Sequence, residues 1–361
     1  MVDVQKSKLT EPPTNLKEAI DWLLCVFGYG GKISDSRGKT AELAKYVEEL
    51  VNWNGLKSEL KMYIQLEGLI GNLANGLRDF LGYYSTTSIS NSGIVQSGYQ
   101  STYKDASWPN DVGQQEECAK VFLGVSVVTY YCIGYLYWRL NGGGWKNQTV
   151  AGVGIYLKSF LNAMGYNDGE LNNTGDGHTI MNKVAWQFEE LENAPSSGNN
   201  YSKFFEQLEK IDSNKALNRP LASCFKLATE YFKSQNTNAT EVTDVINNLK
   251  TKFEELSKNQ ETSESYSSSN PYDDLKQPIK DLLSQAANFK LQEPSRATSE
   301  GHGAGGASRT DGLSQPANKS SHAAPVAGTL TTLGLGGGAA AAYMFNIGGA
   351  KTLVNGLLKI G

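Results

Sequence analysis

VFLGVSVVTYYCIGYLYW, Val121 to Trp138, is the stretch on which the fold turns. These 18 residues carry no charge, and six of them are aromatic. A helix that is apolar on every side belongs either in a protein core or in a bilayer. The aromatics, with Gly, Ser and Thr among them, suit the hub of a helical core. The segments on either side weigh toward that reading, because they are amphipathic and need a surface to bury against.

Working outward, the chain reads as mainly α. A helix is predicted from Asn15 to Phe27, with Leu16, Ile20, Leu23 and Phe27 on one face. Asn15 and Glu18 have capping-box spacing, and Gly28 stands where the helix would end. Thr40 is read as the cap of a second helix carrying Leu43, Val47, Leu50 and Val51 inward. A short turn leads to a third, with Leu56, Leu60, Tyr63, Ile70, Leu73 and Leu77 at helical spacing. Two helices joined so closely should pack antiparallel. Beyond the hub, helices are predicted over 150–164, 179–192, 202–211, 220–233 and 241–256. No run of regularly spaced strands occurs. Ser85 to Pro109 is polar and Gly-containing, and reads as a long loop.

Composition changes after Leu256. Residues 257–327 are rich in Ser, Pro, Gly and polar side chains and read as a flexible stalk, interrupted by one short helix over 278–290. Then no charge interrupts Ala323 to Ala350. About 20 apolar residues span a bilayer, so 328–350 is read as a C-terminal transmembrane helix. Its Gly334 and Gly338 form a GxxxG pair that lets two helices approach closely. The alternative is a flexible Gly/Ala tail. The last segment, 351–361, holds Lys351 and Lys359 and no acid, which points to the cytosolic side. The layout is a helical body (1–256), a stalk (257–327), an anchor and a short tail.

Other features narrow the function. A net charge of −4 gives no basic field for nucleic acid. The N-terminus has no apolar core or cleavage site of a standard secretory signal. Cys25, Cys118, Cys132 and Cys224 lack CxxC spacing, so a zinc ribbon is not indicated. They form up to two disulfides in an oxidising space, or are four small buried thiols. Gly38-Lys39-Thr40 resembles the end of a phosphate-binding loop, but Ile33 stands where that motif needs glycine and no apolar strand precedes it. His178 follows Asp176 in a turn-like segment, without partners for a metal or a catalytic base. No set of acid, base and nucleophile converges, so no enzyme activity and no cofactor are expected. Asn147, Asn172, Asn200, Asn238 and Asn318 open N-x-Ser/Thr sequons, candidate glycosylation sites only if the body meets that machinery.

Several blocks together resemble the variant erythrocyte surface antigens of Babesia parasites. They are LTEPPTNLKEAIDWLLCVFG (Leu9 to Gly28), GLIGNLANGLRDFLGY (Gly68 to Tyr83), CAKVFLGVSVVTYYCIGYLYWRLNGGGW (Cys118 to Trp145), YLKSFLNAMGYNDGELNN (Tyr156 to Asn173) and the tail from Gly328. The blocks keep their order and reach both ends of the chain. The resemblance implies a single-pass protein at the surface of the infected erythrocyte, its C-terminus cytosolic. It also implies a second antigen subunit and a host endothelial receptor as partners, in cytoadhesion and immune evasion. Alpha and beta subunits share the first block. Full-length members are longer and carry a Cys- and Lys-rich region where this chain has its stalk, so the likeness is to a short or truncated member. On that reading the body would present two loops, Ser85 to Pro109 and Gly165 to Gly177, where variation concentrates. The alternative is a membrane-tethered helical scaffold, or a truncated member without adhesive activity.

Overall fold

The computed structural model describes residues 5–31, 38–52, 65–141, 144–151, 155–184, 201, 219–234, 239–258 and 270–289. The chain divides into two units, Met1–Arg296 and Ala297–Gly361, and every described residue belongs to the first. The expected anchor with Gly334 and Gly338, and the expected helical residues 56–64, 185–192 and 202–211, lie outside the described residues.

The described residues form α1 (Leu16–Val26), α2 (Thr40–Leu50), α3 (Leu66–Leu81), α4 (Val112–Asn141), α5 (Ile155–Ala163), α6 (Gly177–Lys183), α7 (Pro220–Ser234), α8 (Ala239–Lys258) and α9 (Lys276–Ala287), with a 3-10 turn at Asp273–Leu275. Strand pairing among them is limited to isolated bridges. The mainly helical expectation holds.

Val121 to Trp138 lies within α4, a helix about 45 Å long at 1.5 Å per residue. Helices α1, α2, α6, α7, α8 and α9 all pack on it. Among the described residues α4 alone is long and apolar enough to cross a membrane, yet 94% of its apolar window is buried inside the protein. It begins nine residues before the predicted start. The Gln114 amide donates to the Asp111 carboxylate at 3.1 Å, supplying a first-turn cap, and the polar turn Gly113 to Glu117 is mostly exposed.

Aromatic packing is densest at the C-terminal half of α4. The Tyr135 ring has six others within 5.2–6.5 Å, from Trp138, Trp145, Phe160, Tyr201, Phe253 and Tyr272. Arg139, though buried, is satisfied there. It donates to the Tyr135 hydroxyl at 2.8 Å and to the Leu256 carbonyl at 3.1 Å, so it serves the free C-terminal end of α8. Its guanidinium lies 4.8–5.3 Å from the ring centres of Trp138, Tyr135 and Trp145.

Helix α9 departs from the stalk expectation. Ile279, Leu282, Leu283 and Ala286 are buried, and the preceding turn is tied down by Asn270, which donates to the Ser159 carbonyl at 2.7 Å. The approach to α4 is close. A Cβ on Gly124 would stand 2.8 Å from the Ala286 Cβ, so only glycine fits at that crossing. The helical unit therefore extends past Leu256, where composition placed its end. The four apolar residues recur at helical spacing inside a polar window, and averaging over that window hides the stripe.

The capping expectation for α1 holds with one variation. Asn15 accepts from the Glu18 amide at 2.9 Å, while the Glu18 carboxylate reaches the Thr14 amide at 2.8 Å rather than that of Asn15. Thr40 is not the cap of α2. It is the first helical residue, and Lys39 takes the cap position without a side-chain bond. The Lys39 amide instead donates to the Val26 carbonyl at 2.6 Å, joining the start of α2 to the end of α1. Helix α5 is described from Ile155, and Val150, the predicted start, instead donates its amide to the Gly175 carbonyl at 2.8 Å.

Candidate functional site

The two segments expected to be displayed loops are joined to each other. Val95 bridges Leu171, the Gln96 amide donates to Glu170 at 2.9 Å, and the Asn172 amide donates to Ile94 at 2.9 Å. The Asn172 side chain fastens the junction. Its amide nitrogen donates to the carbonyls of Asn91 (2.7 Å) and Gly93 (2.9 Å), and its oxygen accepts from the Thr174 amide at 3.0 Å. The Gln96 side chain donates to Gly169, and Lys183 to Ser92.

These segments are displayed only on one side. Ile94, Val95, Tyr99, Tyr103, Ala106, Tyr166 and Leu171 are buried, while Asn91, Ser92, Ser97, Gln100, Asn167, Asp168 and Asn173 are exposed. The inner side rests on α1 and on the N-terminal segment. The Lys6 amide donates to Thr102 at 3.0 Å, the Tyr103 hydroxyl to Glu11 at 2.7 Å, and the Trp22 indole to Leu9 at 2.7 Å.

One carboxyl centres this contact. Asp21 on α1 is 1% exposed. One of its oxygens accepts from the Tyr99 hydroxyl and the other from the Thr102 amide, both at 2.7 Å. Burial pushes this carboxyl up from its ordinary 3.8 to about 7; those donors and nearby Lys17 oppose the rise. Lys17, one turn earlier and also buried, pairs with Glu170 at 2.7 Å and lies 5.6 Å above the Tyr99 ring. Tyr166 stands behind Tyr99, 6.5 Å between ring centres, and its buried hydroxyl has no partner among the described residues. Removing one member of such a buried set strands the others, at a cost of about 3–5 kcal/mol where a charge is left alone.

Sequence reasoning missed Lys17 and Asp21. At a spacing of four on an amphipathic helix, opposite charges read as a solvated face. The signal lay in their neighbours. Leu16, Ala19, Ile20, Trp22, Leu23, Leu24, Cys25 and Val26 are all buried, which leaves α1 too little polar surface to float two charges.

The residues singled out from sequence are scattered. Cys25, Cys118, Cys132 and Cys224 are all buried free thiols, so the thiol reading replaces the disulfide one. The Cys25 sulfur contacts the Tyr103 carbonyl (3.5 Å) and that of Cys132 the Met164 sulfur (3.7 Å). Burial pushes the Cys25 and Cys118 thiols up to about 12, which leaves them unreactive. Asn172 is 2% exposed with its amide nitrogen spent on two carbonyls, so the glycosylation expectation fails there. Asn147 is exposed; Asn200, Asn238 and Asn318 lie outside the described residues. His178 faces the Leu140 carbonyl at 3.1 Å, near the end of α4, and Asp176 caps α6 through the Thr179 amide. Among the described residues, no three of His, Cys, Asp and Glu come together as metal ligands.

This geometry is suited to holding and presenting a surface. Asp21 ties the first loop to α1, Lys17 ties Glu170 of the second loop to the same helix, and the two loops are bonded to each other. No protein-family model, no curated protein and no solved structure matches the chain.

Proposed function

We propose that the chain is a non-enzymatic variant surface antigen of infected erythrocytes, acting in cytoadhesion to host endothelium and in immune evasion. The body would stand outside the cell on the C-terminal anchor, beside a second antigen subunit, with the joined loops turned toward antibodies or a host receptor. The ordered sequence blocks support the family. The observation that carries the presenting role is the junction of 91–96 with 169–172, which fuses two distant segments into one rim. Exposed positions on such a rim tolerate change, while Val95, Tyr103 and Leu171 hold it in place from within. The body would act by non-covalent contact alone.

The test is mild trypsin digestion of intact infected red cells, followed by blotting with an antibody to residues before Ser257. Loss of the body signal with an intracellular control spared is the expected result. Full protection of an expressed body would overturn the display reading, in favour of an internal tethered scaffold paired through Gly334 and Gly338.

A further inference from the structure

Beside the Asp21 lock lies an open cleft of about 210 Å³, walled by Gly30, Gly31, Tyr83, Tyr99, Ser101 and Lys104. Three of its groups are donors with capacity to spare. Tyr83 is 6% exposed, and its hydroxyl has no hydrogen-bond partner among the described residues. Ser101, 2% exposed, uses its oxygen to accept from the Tyr103 amide at 3.1 Å, which leaves the hydroxyl proton to give. Lys104 is held only by the neutral Gln100 side chain, at 2.7 Å, with no carboxylate beside it among the described residues.

Gly30 packs directly against two of these residues and is bare by necessity. Gly30 has φ +66, and a Cβ there would come 2.4 Å from the Tyr83 hydroxyl oxygen and 3.1 Å from the Ser101 Cβ. The same measurement puts the Tyr83 hydroxyl at the glycine wall of the cleft. The hydroxyl opens onto the cleft, so a ligand oxygen received there would take the place of water. The volume falls below the roughly 300 Å³ at which ordinary small-molecule sites begin, which limits the occupant to about one ring.

We propose that this cleft binds a small acidic monosaccharide, its carboxylate on Lys104 and its ring oxygens on the hydroxyls of Tyr83 and Ser101. Tyrosine and serine donors suit a polyhydroxylated ring, and the Lys104 ammonium suits one negative charge. The inference does not depend on where the protein resides.

Calorimetric titration of the full chain tests it, with glucuronate as probe and glucose and inorganic phosphate as comparison arms. Saturable glucuronate binding is expected, tighter than that of either comparison ligand. Tyr83→Phe should weaken it about 2- to 10-fold, the worth of one neutral hydrogen bond. It should leave the melting temperature unchanged or raised, because the hydroxyl it removes serves no partner among the described residues. Lys104→Gln should abolish the preference for glucuronate over glucose. Absence of saturable glucuronate binding overturns the proposal. So does equal binding of phosphate, which would mean that charge alone is read, and so does unaltered affinity in Tyr83→Phe.

Discussion

Around α4 the interior is made of rings and branched chains, whereas over α1 it is made of hydrogen bonds. Tyr135 sits among six aromatic rings, and the neighbouring helices contribute Phe225, Phe253, Leu282 and Leu283. The layer over α1 is no less buried, but Asp21, Asn172 and Gln96 hold it through bonds to backbone groups of distant residues. Packing of the first kind is non-directional and spread over many contacts. Binding of the second kind concentrates in a few groups, each costly to strand. The two regions should therefore fail differently.

The largest effect is expected in the hub. Tyr135→Ala removes a ring that six others touch and should destabilise the whole unit by about 3–5 kcal/mol. Urea denaturation should show the midpoint moving at unchanged slope. A loss below about 1 kcal/mol would mean that the ring cluster is redundant and the contrast between the regions false. Next comes Asn172→Ala, which strands the carbonyls of Asn91 and Gly93 and the Thr174 amide, at about 2 kcal/mol. Here the effect should be local. Native-state hydrogen exchange should accelerate over 91–96 and 169–174 while α4 and α7 keep their protection. Uniform acceleration would show that the loop layer and the hub open as one.

The same contrast decides what the sequence could reveal. Hub elements announce themselves because burial by packing requires periodic apolar residues. Val121 to Trp138 reads directly, as do Val242, Leu249 and Phe253 on α8. Helix α9 was legible as a short helix and missed as core, since its four apolar residues sit in a polar neighbourhood. The loop layer leaves no periodic trace. Asn172 looks like a glycosylation acceptor, and Lys17 with Asp21 like a solvated ion pair, because a side chain bonded to remote backbone has no signature in local spacing. Thr40 shows the reverse error. A good capping residue was present, but the Lys39 amide found the Val26 carbonyl and moved the helix start by one.

The smallest effect, reckoned over one pH unit, is also the most specific to the loop layer. Among the described residues Asp21 is the one buried acid. Its folded value of about 7 lies above the ordinary 3.8, so the folded state holds the proton more tightly than the unfolded chain does. This group's contribution is therefore fully present below about pH 4, is lost as pH rises toward 7, and is level above that. Between pH 5 and 6 the loss should be about 1 kcal/mol, near the limit of 1.4 for one proton. The tyrosines around it, Tyr83, Tyr99 and Tyr166, and the Cys25 thiol are pushed upward and do not titrate in this window. Exposed Asp168 and Asp176 are held low by their own partners and titrate beneath it. In Asp21→Asn the amide still accepts from Thr102 and donates to the Tyr99 oxygen, so the fold is kept and this part of the slope disappears. Urea midpoints for wild type and Asp21→Asn from pH 4.5 to 7.5 should diverge steadily, with the variant gaining as pH rises. Tyr135→Ala, which touches only the hub, should run parallel to wild type across the same range. Parallel curves for Asp21→Asn would place the proton elsewhere and leave the two regions different in composition but not in their response to pH.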